Sequence, residues 1–359
     1  RKILAGENLI LVAPTGCGKT WAAIVPFVFS LIKGEPVADR LIYVLPLRSL
    51  ASSLYQSTSE ALKKARIELD IRLQTGEQRD DPFFQGDIIF TTIDQALSGL
   101  LTIPVSLSPR LGNIVAGSFI GSYVVFDEVH LMEIGKSLAT AVVLADRLNS
   151  VTRFLYMSAT MPKSFLVELA GIIKASVMDL RKKDLNDIPT LHNKKRYFHR
   201  EDQPMSPELV FMRHNKRSLV ICNTVRRAQE MARGLNDLNT NKSLETQIIL
   251  LHSRFLSDDR RHIERRLTAL LGPPDKRLKE ADVILVATQV VEAGLDISCE
   301  NLHTEIAPAN SVIQRAGRCA RYVGENGTVW IYSLKEQNGR GNAQATPYDR
   351  ELVISTGEE

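Results

Sequence analysis

The sequence predicts an α/β protein made of two tandem, doubly wound parallel-sheet domains. Three observations carry that prediction. Short apolar runs alternate with longer helical segments through both halves of the chain. The runs are apolar at consecutive positions, the mark of strands covered by helices on both faces. A length of 359 residues is also about two domains' worth of chain.

In order, the first half should place strands at residues 9–12, 41–45, 88–91, 123–126 and 154–157, and the second at 218–222, 247–251, 283–287 and 329–332. The stretch 178–217 breaks the rhythm. It is rich in Lys, Arg, His, Asp and Pro and reads as a solvated connector, with a nucleic-acid contact as the alternative. A boundary near residue 190 follows, giving domains at 1–189 and 190–335 and a tail at 336–359 leading towards a further C-terminal domain. Opening on Arg1 and ending at Glu359, the chain is expected to be a piece of something longer.

Composition narrows the function classes. With 44% apolar and 24% charged residues, disorder and fibrous structure are excluded. The four cysteines, Cys17, Cys222, Cys299 and Cys319, contain no C-x-x-C pair. That argues against a disulfide scaffold or Cys-rich zinc site and suits a reducing cytoplasm. The most apolar run, 21–32, holds a proline and a serine and is well short of the ~20 residues a spanning helix needs. No membrane association is expected. A net charge of +4 permits a polyanionic partner without requiring one.

Ala13-Pro14-Thr15-Gly16-Cys17-Gly18-Lys19-Thr20 joins the first strand to a helical pattern, the setting of a phosphate-binding loop. Glycines let consecutive N–H groups turn inward onto phosphate oxygens. Lys19 reaches the β- and γ-phosphates, and the Thr20 hydroxyl can ligate Mg²⁺. Ala13 stands where the strict pattern has glycine, and a chance Gly-Lys-Thr is the bland alternative. The strand at 123–126 runs into Asp127-Glu128, where Asp127 suits Mg²⁺ and Glu128 suits the attacking water. A pair of solvated acids is the alternative. In the second half, Gln314-Arg315-Ala316-Gly317-Arg318-Cys319-Ala320-Arg321 spaces its arginines to form one stripe on a helix. Such a stripe is either a solvated face or a supply of cations to a transferring phosphoryl group, in which case hydrolysis requires closure of the two domains.

Together with Leu45-Pro46-Leu47-Arg48-Ser49-Leu50, Thr91-Thr92-Ile93-Asp94-Gln95, Ser158-Ala159-Thr160 and the run from Ala287 to Asp296, these motifs resemble a superfamily 2 helicase of the DExH type, in that family's order. Three stretches sharpen the likeness: Thr92 to Leu97, Val220 to Gln229, and Leu250 to Phe255. They resemble the CRISPR-associated helicase of type I systems, as does Pro347-Tyr348-Asp349 with Thr356. The resemblance implies two RecA-like domains in a prokaryotic cytoplasmic enzyme that uses ATP and Mg²⁺. It further implies recruitment by the Cascade surveillance complex and 3′-to-5′ movement on single-stranded DNA. Members are often fused to an HD nuclease; no His-Asp dipeptide occurs in this chain, so the nuclease is expected elsewhere, on the same polypeptide or another.

Residue by residue, the resemblance implies phosphates on Gly16, Gly18 and Lys19, Mg²⁺ on Thr20 and Asp127, and water activation by Glu128. Arg318 and Arg321 become arginine fingers beside Gln314, with Gly294 and Asp296 near the γ-phosphate and ribose. His130, Ser158 and Thr160 would link hydrolysis to strand movement. DNA would lie on Arg48, Ser49, Thr92, Asn223, Thr224, Ser253, Arg254 and Thr288, residue types that suit phosphates without base preference. Plainer readings stay open: Arg48 caps a strand end, Asn223-Thr224 is a strand-to-helix cap, His252 and Phe255 pack, and Trp21 packs. A general DExH helicase acting on RNA or DNA, and a non-catalytic docking module with a helicase fold, are the competing functions.

Overall fold

The computed structural model describes residues 1–14, 16–180, 194–241, 245–292 and 294–334, together with Tyr348, Val353 and Thr356. The chain divides into two compact units, Arg1–Asp187 and Ile188–Glu359. The expected boundary near 190 and most of the 336–359 tail lie outside the described residues.

The first unit is built on a seven-stranded sheet. Its strands are β1 (Leu9–Val12), β2 (Leu41–Leu45), β3 (Ile71–Gln74), β4 (Ile88–Thr92), β5 (Tyr123–Phe126), β6 (Arg153–Ser158) and β7 (Ser176–Asp179). They lie in the order β3-β4-β2-β5-β6-β1-β7, and every pairing is parallel. Alternate residues of one strand feed two cores. Ile10 and Val12 pack into the cluster on one face, Leu9 and Leu11 into the cluster on the other. A strand buried on both faces must read as continuously apolar, which is why β1, β2, β4, β5 and β6 are legible in the sequence.

The second unit has six strands: β8 (Lys195–Pro204), β9 (Arg217–Ile221), β10 (Gln247–Leu251), β11 (Val283–Ala287), β12 (Asn301–Glu305) and β13 (Asn326–Ser333). Their order is β10-β11-β9-β12-β13-β8, again wholly parallel, with cores on both faces.

The stretch 178–217 is corrected by the structure. Much of it is not a solvated connector: residues 195–204 form β8, in register with β13, and Pro207–Arg213 forms a helix. β8 is an edge strand exposed along most of its length, so no apolar pattern announces it. β3 and β7 are likewise sheet edges. β12 hides for another reason, since its His303, Thr304 and Glu305 are buried polar residues with partners inside the unit. Among the described residues no helix is long and apolar enough to cross a membrane.

Candidate nucleotide site and nucleic-acid face

In a parallel sheet all carboxyl ends lie on one edge, where ligands bind. On the first sheet that edge is divided. The phosphate-loop motif follows β1, Asp127 and Glu128 follow β5, and Ser158 ends β6, the strand between them. Arg48 lies beyond β2 and Thr92 ends β4, on the other half of the same edge.

The loop after β1 takes its shape from two glycines. Gly16 and Gly18 have φ of 83° and 79°, the left-handed region that side chains resist. Gly18 is also the N-cap of the helix Lys19–Ile32, whose first-turn N–H groups have no intrahelical acceptors. Ala13 is buried, does not need that conformation and donates its N–H to the Ser158 carbonyl at 3.1 Å, which explains how alanine serves at the loop's first position. The Lys19 ammonium lies inside the loop, donating to the carbonyl of Ala13 at 2.9 Å. Thr15 lies outside the described residues.

Asp127 is buried at the end of β5. Its Oδ2 accepts from the Tyr43 hydroxyl at 2.8 Å and its Oδ1 from the Glu128 N–H at 2.8 Å. Burial pushes its carboxyl up to about 6; the Glu128 carboxylate adds to that and Lys19 opposes it. Thr20 and Asp127 form an all-oxygen pair with a carboxylate whose charge burial disfavours, and that chemistry suits a hard divalent cation. They are the residues that would hold Mg²⁺, which when bound neutralises charge on the β- and γ-phosphates.

Glu128 sits at φ 51°, a conformation a non-glycine residue adopts at a cost, and one of its carboxylate oxygens, Oε2, is buried without a hydrogen bond. That oxygen lies 3.5 Å from His130 Nδ1. Two residues on, His130 Nδ1 lies 3.0 Å from Ser158 Oγ, which donates to the Thr160 carbonyl at 2.7 Å. A contact bridging 28 residues of sequence thus joins two motifs into one chain of polar contacts. Burial first, then Lys19, holds His130 down at about 4, so the ring is neutral at pH 7. Trp21 corrects an expectation: it does not pack but is 39% exposed on its helix.

The arginine run is also rearranged. The helix covers Ala309–Ala316, so of the three arginines only Arg315 lies on it and there is no helical stripe. Beyond Gly317 the chain turns so that its backbone pairs with that of Cys299 just ahead of β12, the Cys299 N–H donating to the Arg318 carbonyl; both Cys299 and Cys319 are free thiols. Arg315 is fully buried and donates to Glu292, Asn223, Thr304 and the Glu305 carbonyl, tying together the ends of β9, β11 and β12. Arg318, 7% exposed, donates to the carbonyls of Val291, Glu292 and Leu295. Arg321 pairs with Asp296 at 2.7 Å, near the surface. Gln314 is half-buried, and Gly294 takes φ 89° in the loop leading to Asp296.

The eight residues expected on DNA fall into three groups. Arg48, Ser253 and Arg254 are exposed; Ser49 and Thr224 are half-buried; Thr92, Asn223 and Thr288 are buried. Those in the second unit follow β9, β10 and β11, three adjacent strands. Thr224 caps the helix Val225–Asn241 by accepting from the Arg227 N–H. Both side-chain polar atoms of Asn223 are engaged, with Arg315 and with the Ile306 carbonyl. Among residues the sequence left without a role, Tyr43 and Glu292 stand out. Tyr43 reads as one more apolar strand residue, and no spacing signals that its hydroxyl reaches Asp127.

Comparisons with known proteins agree with this fold. Residues 1–169 match the family model described as DEAD/DEAH box helicase, and residues 214–323 the model described as CRISPR-associated nuclease/helicase Cas3, C-terminal. The chain is 27% identical to the CRISPR-associated helicase Cas3 of Thermoproteus tenax, over 98% of this chain and 58% of the relative. The chain is thus similar to Cas3 helicases along nearly its whole length. A second Cas3 relative, the endonuclease/helicase of Escherichia coli, is 26% identical over 87% of this chain and 40% of its own. The Cas3-like fold is equally plain: the T. fusca Cas3–ADP crystal structure superposes with a TM-score of 0.78 at 20% identity, over 99% of this chain and 47% of that one. This chain therefore spans about half the length of the Cas3 proteins it matches.

Proposed function

We propose that the chain is the motor of an ATP-dependent single-stranded-DNA translocase in type I CRISPR interference. ATP and Mg²⁺ bind beside β1 and β5, and Glu128 orients the attacking water. Arg318 and Arg321 neutralise the terminal phosphate, and the strand moves 3′ to 5′ across the exposed polar residues of both units. The partners in this reading are the Cascade complex, at whose R-loop the DNA is unwound, and an HD nuclease, fused or separate, in the cytoplasm. Among the structural neighbours is one titled CRISPR RNA-guided surveillance complex, pre-nicking, which supports that setting.

The observation that carries the reading is the division of the first sheet's carboxyl edge. Candidate nucleotide-binding groups occupy the β5-β6-β1 half, candidate phosphate contacts the β4-β2 half, and the His130–Ser158 contact connects motifs on the first of these. A motor needs two such sites joined by a relay; a docking module needs neither. The test is ATP hydrolysis by the purified protein with Mg²⁺, alone and with single-stranded DNA or RNA. Stimulation by DNA, lost in Lys19→Ala, is the expected result. Stimulation by RNA alone would favour a general DExH helicase, and no hydrolysis under any condition would favour docking.

A further inference from the structure

The hydroxyl of Tyr43 joins the two residues assigned to the metal. Tyr43 lies at the middle of β2, fully buried, with its ring 5.4 Å from that of Phe90. β2 and β5 are neighbours, with Val44 opposite Phe126, which brings the Tyr43 side chain beneath Asp127. The phenol donates to Asp127 Oδ2 at 2.8 Å, and the Thr20 hydroxyl lies close enough to the same oxygen to favour its charged form. One buried oxygen thus connects the start of the phosphate-loop helix, β2 and the end of β5.

The chemistry gives this arrangement a purpose. A hydroxyl ligates a cation through a lone pair, so its proton must point elsewhere. A carboxylate ligates best when its rotation is fixed. An oxygen that donates to Asp127 and lies beside the Thr20 hydroxyl, from which it can accept, meets both needs. Packing alone would be served by phenylalanine, whereas a buried phenol carries a desolvation cost that a hydrogen bond must offset. Outer partners of metal ligands act in this way, holding ligand orientation without touching the ion.

We propose that Tyr43 is a positioning residue for the metal, setting the Thr20 hydroxyl and the Asp127 carboxylate so that both face one Mg²⁺ ion. The inference rests on the nucleotide-site reading above and adds to it a residue in an otherwise apolar strand.

The test is Tyr43→Phe in the full chain, which keeps the ring and removes only the O–H. ADP binding is measured by calorimetry in EDTA and then across a Mg²⁺ titration, with Mn²⁺ occupancy followed by electron paramagnetic resonance. Metal-free ADP affinity should match the unsubstituted protein, while the Mg²⁺ needed for half-maximal effect should rise roughly 10- to 100-fold, the scale on which outer partners tune metal affinity. A role in packing alone would lower both affinities or neither. An unchanged Mg²⁺ requirement in a variant that still binds ADP overturns the proposal and leaves the nucleotide site standing. Failure of the unsubstituted protein to bind ADP at all overturns the site reading and this inference with it. If Tyr43→Phe does not fold, ¹³C at Cζ of tyrosine in the unsubstituted protein decides. The Tyr43 signal should shift as Mg²⁺ is added with ADP present, and a signal that stays still overturns the proposal.

Discussion

Arg321 donates through Nε to Asp296 Oδ1 at 2.7 Å, and the Tyr322 hydroxyl reaches the same oxygen at 2.9 Å. The cation proposed for the terminal phosphate is therefore held by the acid that the helicase resemblance assigns to the nucleotide. The pair is accessible, with side chains 29% and 55% exposed, so breaking it costs about 1 kcal/mol or less. Arg321 can leave Asp296 for a phosphate at little expense. Arg318 is different, because its guanidinium is buried against three carbonyls.

That contrast separates the two arginines by experiment. Arg321→Ala should lower kcat by about 10³-fold or more while nucleotide affinity and melting temperature hold. Arg318→Ala should lower kcat and also stability, by about 2–4 kcal/mol, since it strips charge-assisted hydrogen bonds from a buried loop. Steady-state kinetics and urea unfolding on both variants check this; an Arg318→Ala protein as stable as the unsubstituted one contradicts the bracing role.

Glu128→Gln should keep ATP binding and lose turnover by about 10²- to 10⁴-fold, because an amide cannot take a proton from water. Lys19→Ala should instead lose nucleotide affinity, since its ammonium lies inside the phosphate loop. Equilibrium binding of ATP beside single-turnover hydrolysis distinguishes the two, and full turnover in Glu128→Gln removes that residue from the reaction.

In the proposed motor His130 and Ser158 couple rather than catalyse. Ser158→Ala should leave basal hydrolysis near its starting value and reduce stimulation by single-stranded DNA roughly 2- to 30-fold, the range of a single coupling contact. Equal losses in basal and stimulated rates would place Ser158 in the chemistry itself.

Acid should loosen both units. Burial holds His303 at about 3 and His130 at about 4, against the ordinary value of 6.5 in an unfolded chain. Below 6.5 the unfolded state binds the protons, so stability is full above that pH and falls as pH drops towards those values. His303 should withdraw about 2 kcal/mol between pH 7.5 and pH 5 from the second unit, whereas in the first unit Asp127, held up at about 6, takes up a proton in the fold over the same range and offsets much of the His130 loss. The shift of the urea midpoint over that range measures it, and His303→Leu should flatten the second unit's share.

Exposure sorts the candidate DNA contacts. Arg48→Ala and Arg254→Ala should each reduce the slope of log affinity against log salt by about 0.7, the share of one phosphate contact on a single strand. Asn223→Ala should leave that slope unchanged and lower the melting temperature, because its amide is spent on Arg315 and Ile306. A slope change in Asn223→Ala would return it to the DNA face.

Much of this was legible because burial and backbone chemistry leave marks in sequence. The nine strands read from the chain are buried or half-buried runs, and Gly16 and Gly18 are glycines because the loop needs positive φ. The four unread strands left no such mark. β3, β7 and β8 are edges, and β12 buries polar side chains whose partners come from distant segments. Trp21 was misread because an apolar face need not be a covered one.

The sequence by itself determined the two-sheet α/β architecture, the order of the motifs and the residue types at the nucleotide loop, since these depend on periodicity and on local backbone demands. Only the tertiary structure decided that Arg315 is core, that Arg318 is braced while Arg321 is held by a surface acid, and that a tyrosine in an apolar strand reaches Asp127. Such assignments depend on which distant groups meet across strands, and a buried polar atom takes whichever partner the fold brings within about 3 Å.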